Sequence, residues 1–301
     1  MRLNDVAIED TFAEAFTMYG ARVIITAINE KWANHAALAA TGFATSIIGC
    51  GVEAGIEGPA LSTPDSRPGV ACLFFTTSKE DMEKQLLNRI GQAIMTTPTS
   101  ACYDGLSQDY GQQEQPAAKL KLGSKLRFFG DGYQSSKVIN GRRFWRIPVM
   151  EGEFLVQEEF TVVKGVGGGN FLILAETAAA ALAAAEAAVE AIRAVPGVIL
   201  PFPGGVVRSG SQVGSRYKFL KASTNVAFCP TLRGIAAKTM LPPGVNAVLE
   251  IVIDGLTPDA VAEAMRVGIR AACLKGVRSI SAGNYGGRLG KHLFPLRQIV
   301  Q

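Results

Sequence analysis

The stretch Asn170–Glu176, NFLILAE, decides the fold, because a strand-length run of aromatic and branched residues passes directly into the alanine-rich, helically spaced segment Ala178–Val195. A second opening of the same kind stands at Arg22–Ile28, RVIITAI, again followed by an alanine-rich segment. Short apolar runs at Ala44–Ile48 and Val198–Phe202 follow the two helices and read as return strands, giving β-α-β twice. Val70–Phe75 then pairs with Ala247–Ile253, each trailed by a helix (Arg89, Ile90, Gly91 in one; Arg266, Val267, Gly268 in the other). Leu126–Gly130 and Arg278–Ala282 close the plan as strands running into turns that contain Tyr133 and Tyr285. The spacing therefore predicts an α+β protein of two related lobes, 1–146 and 147–301, each a ferredoxin-like split β-α-β sandwich, with an insertion over about 206–240 in the second.

Composition agrees with two well-buried domains: 301 residues, 48% hydrophobic and 19% charged. The acidic start, with Asp5, Glu9, Asp10 and Glu14, is unlike a secretory signal, and Glu186, Glu190 and Arg193 interrupt the alanine-rich run, which reads as a buried helix and not a membrane span. The five cysteines, Cys50, Cys72, Cys102, Cys229 and Cys273, form no CxxC pair and are expected as reduced thiols in a cytoplasmic protein. A formal net charge of +4, without a nucleic-acid motif, gives no reason to expect a nucleic-acid partner. The two histidines, His35 and His292, stand in no nucleophile or metal motif, so neither a Ser-His-Asp hydrolase nor a metal centre is expected.

Two glycine-rich loops carry the candidate chemistry. Ser281–Lys291, SAGNYGGRLGK, has four glycines, an amide, a phenol and two cations behind an apolar run, a composition that suits close backbone approach to a ligand as well as an ordinary turn. Pro201–Ser211, PFPGGVVRSGS, can present N–H and hydroxyl donors to an anion or carbonyl, or serve as a rigid turn. Arg208, Arg216, Lys218 and Lys221 make a cationic cluster nearby that suits a polyanionic ligand tail or a solvated face. Gly165–Asn170, GVGGGN, precedes its strand instead of following one, so a dinucleotide-binding reading fails. Glu250 lies inside the apolar strand NAVLEIVIDGL: facing inward it would be desolvated and suited to general acid work, and facing outward it would be an edge charge. Glu53, Glu57 and Glu151 read as loop carboxylates of the same ambiguity. Ser107–Ala118 reads as an exposed polar loop, and the strand Arg142–Val149 (Phe144, Trp145) reads as an extension that packs lobes or subunits, since its aromatics would otherwise form an exposed apolar patch, which predicts oligomerisation.

IEDTFAEAF (8–16), ATGFATSII (40–48), EAGIE (53–57), PVMEGEFL (148–155), PFPGG, YKFLKA (217–222), NAVLEIVIDGL and ISAGNYGGRLGK together resemble the formylmethanofuran:tetrahydromethanopterin formyltransferases, nearly end to end. The resemblance implies two ferredoxin-like lobes, a homodimer or homotetramer, and N-formyl transfer between tetrahydromethanopterin and a methanofuran-type amine, with both carriers as co-substrates and no permanently bound cofactor or metal. The positive net charge is similar to a bacterial, methylotroph-type member working with the subunits of a formyl hydrolase complex. On this resemblance Glu250 is the expected catalytic proton carrier. Gly204, Gly205, Arg208, Ser209, Lys218, Asn284, Tyr285, Gly286 and Gly287 are the expected carrier-binding positions, with backbone N–H groups near Gly204, Gly205 or Gly286 holding the oxyanion. The competing expectation is a non-catalytic, carrier-binding scaffold subunit of such a complex.

Overall fold

The computed structural model describes residues 1–106, 118–210 and 212–301; of the expected polar loop only Ala118 is among them, and 107–117 and 211 lie outside the described residues. Packing divides the chain into two compact units, one of Met18–Gly165 and one of Met1–Thr17 with Val166–Gln301.

The unit Met18–Gly165 runs strand (Phe12–Thr26, from Met18 onward), helix (Glu30–Thr41), strand (Glu53–Pro59), strand (Gly69–Thr76), helix (Lys79–Arg89), strand (Ala101–Asp104). Its first strand is central, antiparallel to the third at Val23↔Cys72 and to the fourth at Val23↔Asp104, while the second closes the edge at Ile56↔Cys72. That spatial order is the ferredoxin-like one. Both helices begin where a side chain takes an otherwise unpaired first-turn amide: Asn29 accepts from the Trp32 N–H and Ser78 from that of Asp81. Their apolar stripes, Ala33, Ala36, Ala37 and Ala40 with Met82 and Leu86, seal one face of the sheet.

The other unit repeats the plan. Strand Phe160–Ala175 (from Val166), helix Ala178–Arg193, strand Val198–Ile199, strand Ala247–Gly255, helix Pro258–Ala272 and strand Val277–Ser281 follow in the same order. The first strand again lies between the third (Leu172↔Glu250) and the fourth (Leu172↔Ser281), with the second at the edge (Val198↔Gly255). Thr177 and Thr257 cap the two helices on the amides of Ala180 and Ala260. Each fourth strand gains a parallel neighbour from elsewhere in the chain, Gly152–Gln157 beside Ala101–Asp104 and Val6–Ile8 beside Val277–Ser281. These pairings make the packed units differ from the expected division at 146/147, because residues 147–165 stay with the first repeat and 1–17 join the second.

Three local expectations are corrected. Ala44–Ile48 is not a strand: Ser46 caps the one-turn helix Ile47–Cys50, and the return strand is Glu53–Pro59. Glu53 and Glu57 are thus strand residues, Glu57 accepting two 2.7 Å bonds from Arg22 and Glu53 one of 2.9 Å from the Ile47 amide. Leu126–Gly130 is also helical, and the fourth strand is Ala101–Asp104, whose four residues ACYD carry too little apolar pattern to announce it. Arg142–Val149 is the expected strand, but its aromatics need no subunit to cover them: Phe144 is buried edge-on against Tyr103 at 6.1 Å, and Trp145 stacks beneath the Arg127 guanidinium at 4.6 Å, both partners within the same unit. Oligomerisation therefore draws no support from them.

Among the described residues no helix is long and apolar enough to cross a membrane, and the cysteines are free thiols. The glycines of GVGGGN serve packing: a Cβ on Gly169 would stand 2.3 Å from Cγ1 of Val261, on the helix crossing this strand. A helical valine has one favoured rotamer and cannot turn aside. Gly169→Ala should therefore destabilise the protein by about 1–3 kcal/mol through overpacking. Urea unfolding checks this, with a lower midpoint expected at an unchanged slope.

Candidate active site

Strand alternation sends Ile251 and Ile253 of Ala247–Gly255 into the helix-covered core, which leaves Glu250 on the opposite face of the sheet. That face is not open. The segment between Ile199 and Ala247 folds back over it, packing Leu241, Val245 and Phe228 on Leu172, Leu174 and Val248. Val207 exchanges both backbone hydrogen bonds with Glu250, at 2.8 and 2.9 Å, and so extends the sheet edge at the position of the carboxylate. Both readings of Glu250 thus hold part of the truth, since it faces away from the helices and is nevertheless covered.

The result is a small pocket open to solvent, in which Arg208, Ser209, Thr224, Asn225, Cys229 and Glu250 supply the polar lining. Glu250 keeps a strip of surface as a residue, yet its carboxyl is almost wholly enclosed, and the density of protein around the carboxyl governs its hydration. Burial pushes its pKa up to about 7. At neutral pH the group can both give and take a proton.

The loop Ser281–Lys291 is organised around a residue that sequence reasoning missed. Glu14, on the strand Phe12–Thr26, accepts the N–H groups of Tyr285, Gly287, Leu289 and Gly290 at 2.7, 2.8, 2.6 and 2.6 Å. Only about 1% of it is exposed, but its cover is this single layer of loop and not a deep core. Desolvation raises its pKa and the four amides together outweigh that, holding it down to about 2. The loop's geometry is set by this contact: a Cβ on Gly290 would lie 2.4 Å from the Ala15 carbonyl oxygen, and Gly286 and Gly287 take φ of 72° and 73°. Asn170 clamps the loop's entrance, accepting the Gly283 N–H at 2.7 Å and donating to the Gly283 carbonyl at 3.2 Å. In sequence, the one available signal for Glu14 was a chain segment rich in glycine amides that lacked an anion.

The expected site residues divide among different roles. Arg208 and Ser209 line the pocket with Glu250. Burial raises the pKa of Tyr285, the charges of Glu250 and Glu14 add to the rise, and the Val213 amide opposes it. Asn284 turns its amide inward to Thr11 and the Phe12 carbonyl, both at 3.1 Å, and accepts the Gly286 N–H. The amides of Gly286 and Gly287 are thus engaged by Asn284 and Glu14. Gly204 and Gly205 form a 3-10 turn, not part of the pocket lining, in which the Gly205 N–H donates to the Phe202 carbonyl at 2.8 Å. Lys218 and Arg216 are exposed around the short hairpin of Gln212–Val213 and Ala222–Ser223, also outside that lining. Cys229 and Thr224, to which no role was given, do line it. Among the described residues no cluster of three or more His, Cys, Asp or Glu could hold a metal ion.

The family model described as formylmethanofuran-tetrahydromethanopterin formyltransferase matches residues 1–149, and that of the family's proximal lobe matches 152–299. The chain belongs to the formylmethanofuran–tetrahydromethanopterin formyltransferase family. Relatives of that name from Methylobacillus flagellatus and Methanocaldococcus jannaschii are 57% and 51% identical, each with all of this chain and all of the relative covered. The formyltransferase structure from Methanosarcina barkeri superposes with a TM-score of 0.91 at 48% identity, covering 99% of this chain and 100% of that one. The formyltransferase/hydrolase complex from Methylorubrum extorquens, solved with methylofuran, gives 0.93 at 50% identity, covering 100% of this chain and 99% of its counterpart.

The loop around Glu14 makes acid stability depend on that carboxylate. A carboxyl with a depressed folded pKa contributes stability that is fully present above its unfolded value, here 4.5, and lost as pH falls toward about 2. Unfolding free energy measured by urea titration should fall across that window, and Glu14→Gln should flatten the fall.

Proposed function

We propose that this chain transfers a formyl group between tetrahydromethanopterin and the amine of a methanofuran-type carrier, directly and in a ternary complex, with Glu250 as the proton carrier. The observation that carries the assignment of Glu250 is its enclosed carboxyl on the pocket floor, with a pKa of about 7, in a chain half identical along its whole length to formyltransferases. The acceptor amine bonds to the formyl carbon and the bond from that carbon to the pterin nitrogen breaks. Glu250, protonated, gives its proton to the departing nitrogen and recovers one from the acceptor amine. Atoms and charge balance without a redox partner.

Binding geometry supplies most of the acceleration, since bringing two bound carriers into attack geometry contributes on the order of 7–11 kcal/mol, against about 3–4 for one oxyanion donor. Arg208 and Ser209, beside Glu250, are the polar groups for the carbonyl oxygen, and Tyr285 lies within reach of the Glu250 charge. Lys218 with Arg216, exposed on the covering segment, suits an anionic carrier tail. Gly204, Gly205, Asn284, Gly286 and Gly287 shape the two loops, with Asn284 and the amides of Gly205, Gly286 and Gly287 engaged within the protein. The chain's place is in one-carbon oxidation, as a homo-oligomer within a formyltransferase/hydrolase assembly like that of the Methylorubrum relative, and in the cytoplasm, where free thiols are kept reduced.

Formyl exchange from formyl-tetrahydromethanopterin to a furfurylamine-type acceptor, followed by pterin absorbance, tests this. Transfer by the purified chain separates the enzyme from a carrier-binding scaffold. Glu250→Gln should lower kcat by about 10²–10⁴-fold. Because the acid must start protonated, the wild-type rate should fall as pH rises through about 7. An inflection that survives in Glu250→Gln would remove that residue from the chemistry. For the tail, the carrier's affinity should weaken with added salt if Arg216 and Lys218 hold an anion, and charge-neutral variants of those two should lose that dependence.

A further inference from the structure

Two stretches of the long connection over the second sheet meet at the pocket, and the bonds between them are made by residues of its lining. The first leaves the sheet edge at Val207, whose backbone holds that of Glu250 at 2.8 and 2.9 Å, and runs through Arg208 and Ser209 to Gly210. The second returns through Thr224 and Asn225 to Cys229. Beyond Val207 the first stretch is tied to the second. The Thr224 hydroxyl donates to the Ser209 carbonyl at 3.2 Å. Gly210, at φ 57°, runs so near the returning chain that a Cβ on it would stand 3.2 Å from that of Asn225. The hydroxyl has one proton, and with that proton on Ser209 its oxygen meets the Cys229 sulfur, 3.4 Å away, as an acceptor. The thiol proton lies between that oxygen and the Asn225 carbonyl, 3.3 Å from the sulfur, so the hydroxyl is held from its other side as well. Arg208 and Ser209, assigned above to the formyl oxygen, are therefore strung between one fixed end at Glu250 and another at Thr224.

We propose that Thr224 is a positioning residue for formyl transfer: by holding the Ser209 carbonyl it fixes the backbone from which Ser209, with Arg208 before it, reaches the reacting carbonyl oxygen beside Glu250. The proposal deepens the reading of this pocket as the formyl-transfer site and rests on it. Thr224 and Ser209 are both exposed, so water takes over the Ser209 carbonyl when the hydroxyl is lost. The bond thus adds little to stability and acts on geometry, where a displacement of about 1 Å can cost on the order of 10²-fold in rate. A donor aimed at the oxygen of the transition state is felt in kcat, and substrate affinity registers it far less.

The experiment is a double-mutant cycle on the full chain, with kcat and KM for exchange from formyl-tetrahydromethanopterin to a furfurylamine-type acceptor, and the urea midpoint, read for Thr224→Val, Ser209→Ala and the double variant. Valine keeps the shape of threonine and lacks the proton. Thr224→Val should lower kcat about 10-fold, with KM changed by less than about threefold and the urea midpoint unmoved. Thr224→Ser, which keeps the hydroxyl, should restore kcat to within about threefold of the unaltered chain. Where Ser209→Ala is already present, Thr224→Val should cost less than it does alone, because the side chain it aligns is gone. Equal losses from Thr224→Val in both backgrounds would overturn the proposal, as would a loss that Thr224→Ser does not reverse. Should Thr224→Val not fold, Thr224→Ala, smaller and equally without the hydroxyl, takes its place in the cycle. Exchange that the Thr224 variants leave unchanged overturns the positioning role alone, whereas no exchange by the unaltered chain overturns the reading of the pocket and this proposal with it.

Discussion

Taking a carboxylate out of water is the constraint on which this site is built, and the same unit of the protein resolves it in two opposite ways. Glu14 loses its hydration to a loop that returns four peptide N–H groups, and it stays ionised down to about pH 2. Glu250 loses its hydration to the sheet and the segment folded over it, and its pKa climbs to about 7 for lack of comparable compensation. The first becomes a fixed negative charge that a glycine-rich chain can wrap. The second becomes a group whose proton is loosely enough held to move.

The plan of the fold was legible in the sequence because it is repeated. NFLILAE and RVIITAI each announced a strand with a helix behind it, and the alanine stripes carried the period of a buried helix face. Elements failed where local pattern and tertiary role part company. RFFG, rich in aromatics, reads as a strand, but Phe128 and Phe129 are exposed on a helical turn. ACYD is the true fourth strand, and its four residues are held by neighbours on both sides, a fact that no window of four residues contains. The packed units follow the chain less simply than its two repeats do for a related reason: Val6–Ile8 completes the second sheet from the opposite end of the chain.

Within the site, legibility followed chemistry that one residue type can signal alone. A glutamate in an apolar strand is visible as an anomaly, so Glu250 could be singled out, although its face could not. Deciding the face required the covering segment, since strand alternation by itself points the side chain away from the helices. Glu14 carries no anomaly in FAEAF, where alternating glutamate and alanine suit any half-exposed strand. Its role exists only in relation to amides more than 270 positions away. The glycine loop was recognised as a donor-rich turn, and the anion it holds proved to belong to the protein itself.

Comparison of the two repeats explains why the pocket lies in the second. In the first, the edge strand Glu53–Pro59 has seven residues and pairs along the length of Gly69–Thr76. In the second, the corresponding strand has shrunk to Val198–Ile199, two residues paired only with Asp254 and Gly255. The rest of that sheet edge is left for the long connection to use, and Val207 docks there on Glu250. Strand pairing thus does for the second repeat what a full edge strand does for the first, but the residues that follow Val207 leave the sheet plane and return across its outer face. An edge that is paired by a loop satisfies the backbone as a strand would and also brings Arg208, Ser209 and Gly210 within reach of the buried carboxyl. The pocket is therefore the product of a shortened strand, and this asymmetry of a duplicated fold comes down to where one backbone edge finds its hydrogen bonds.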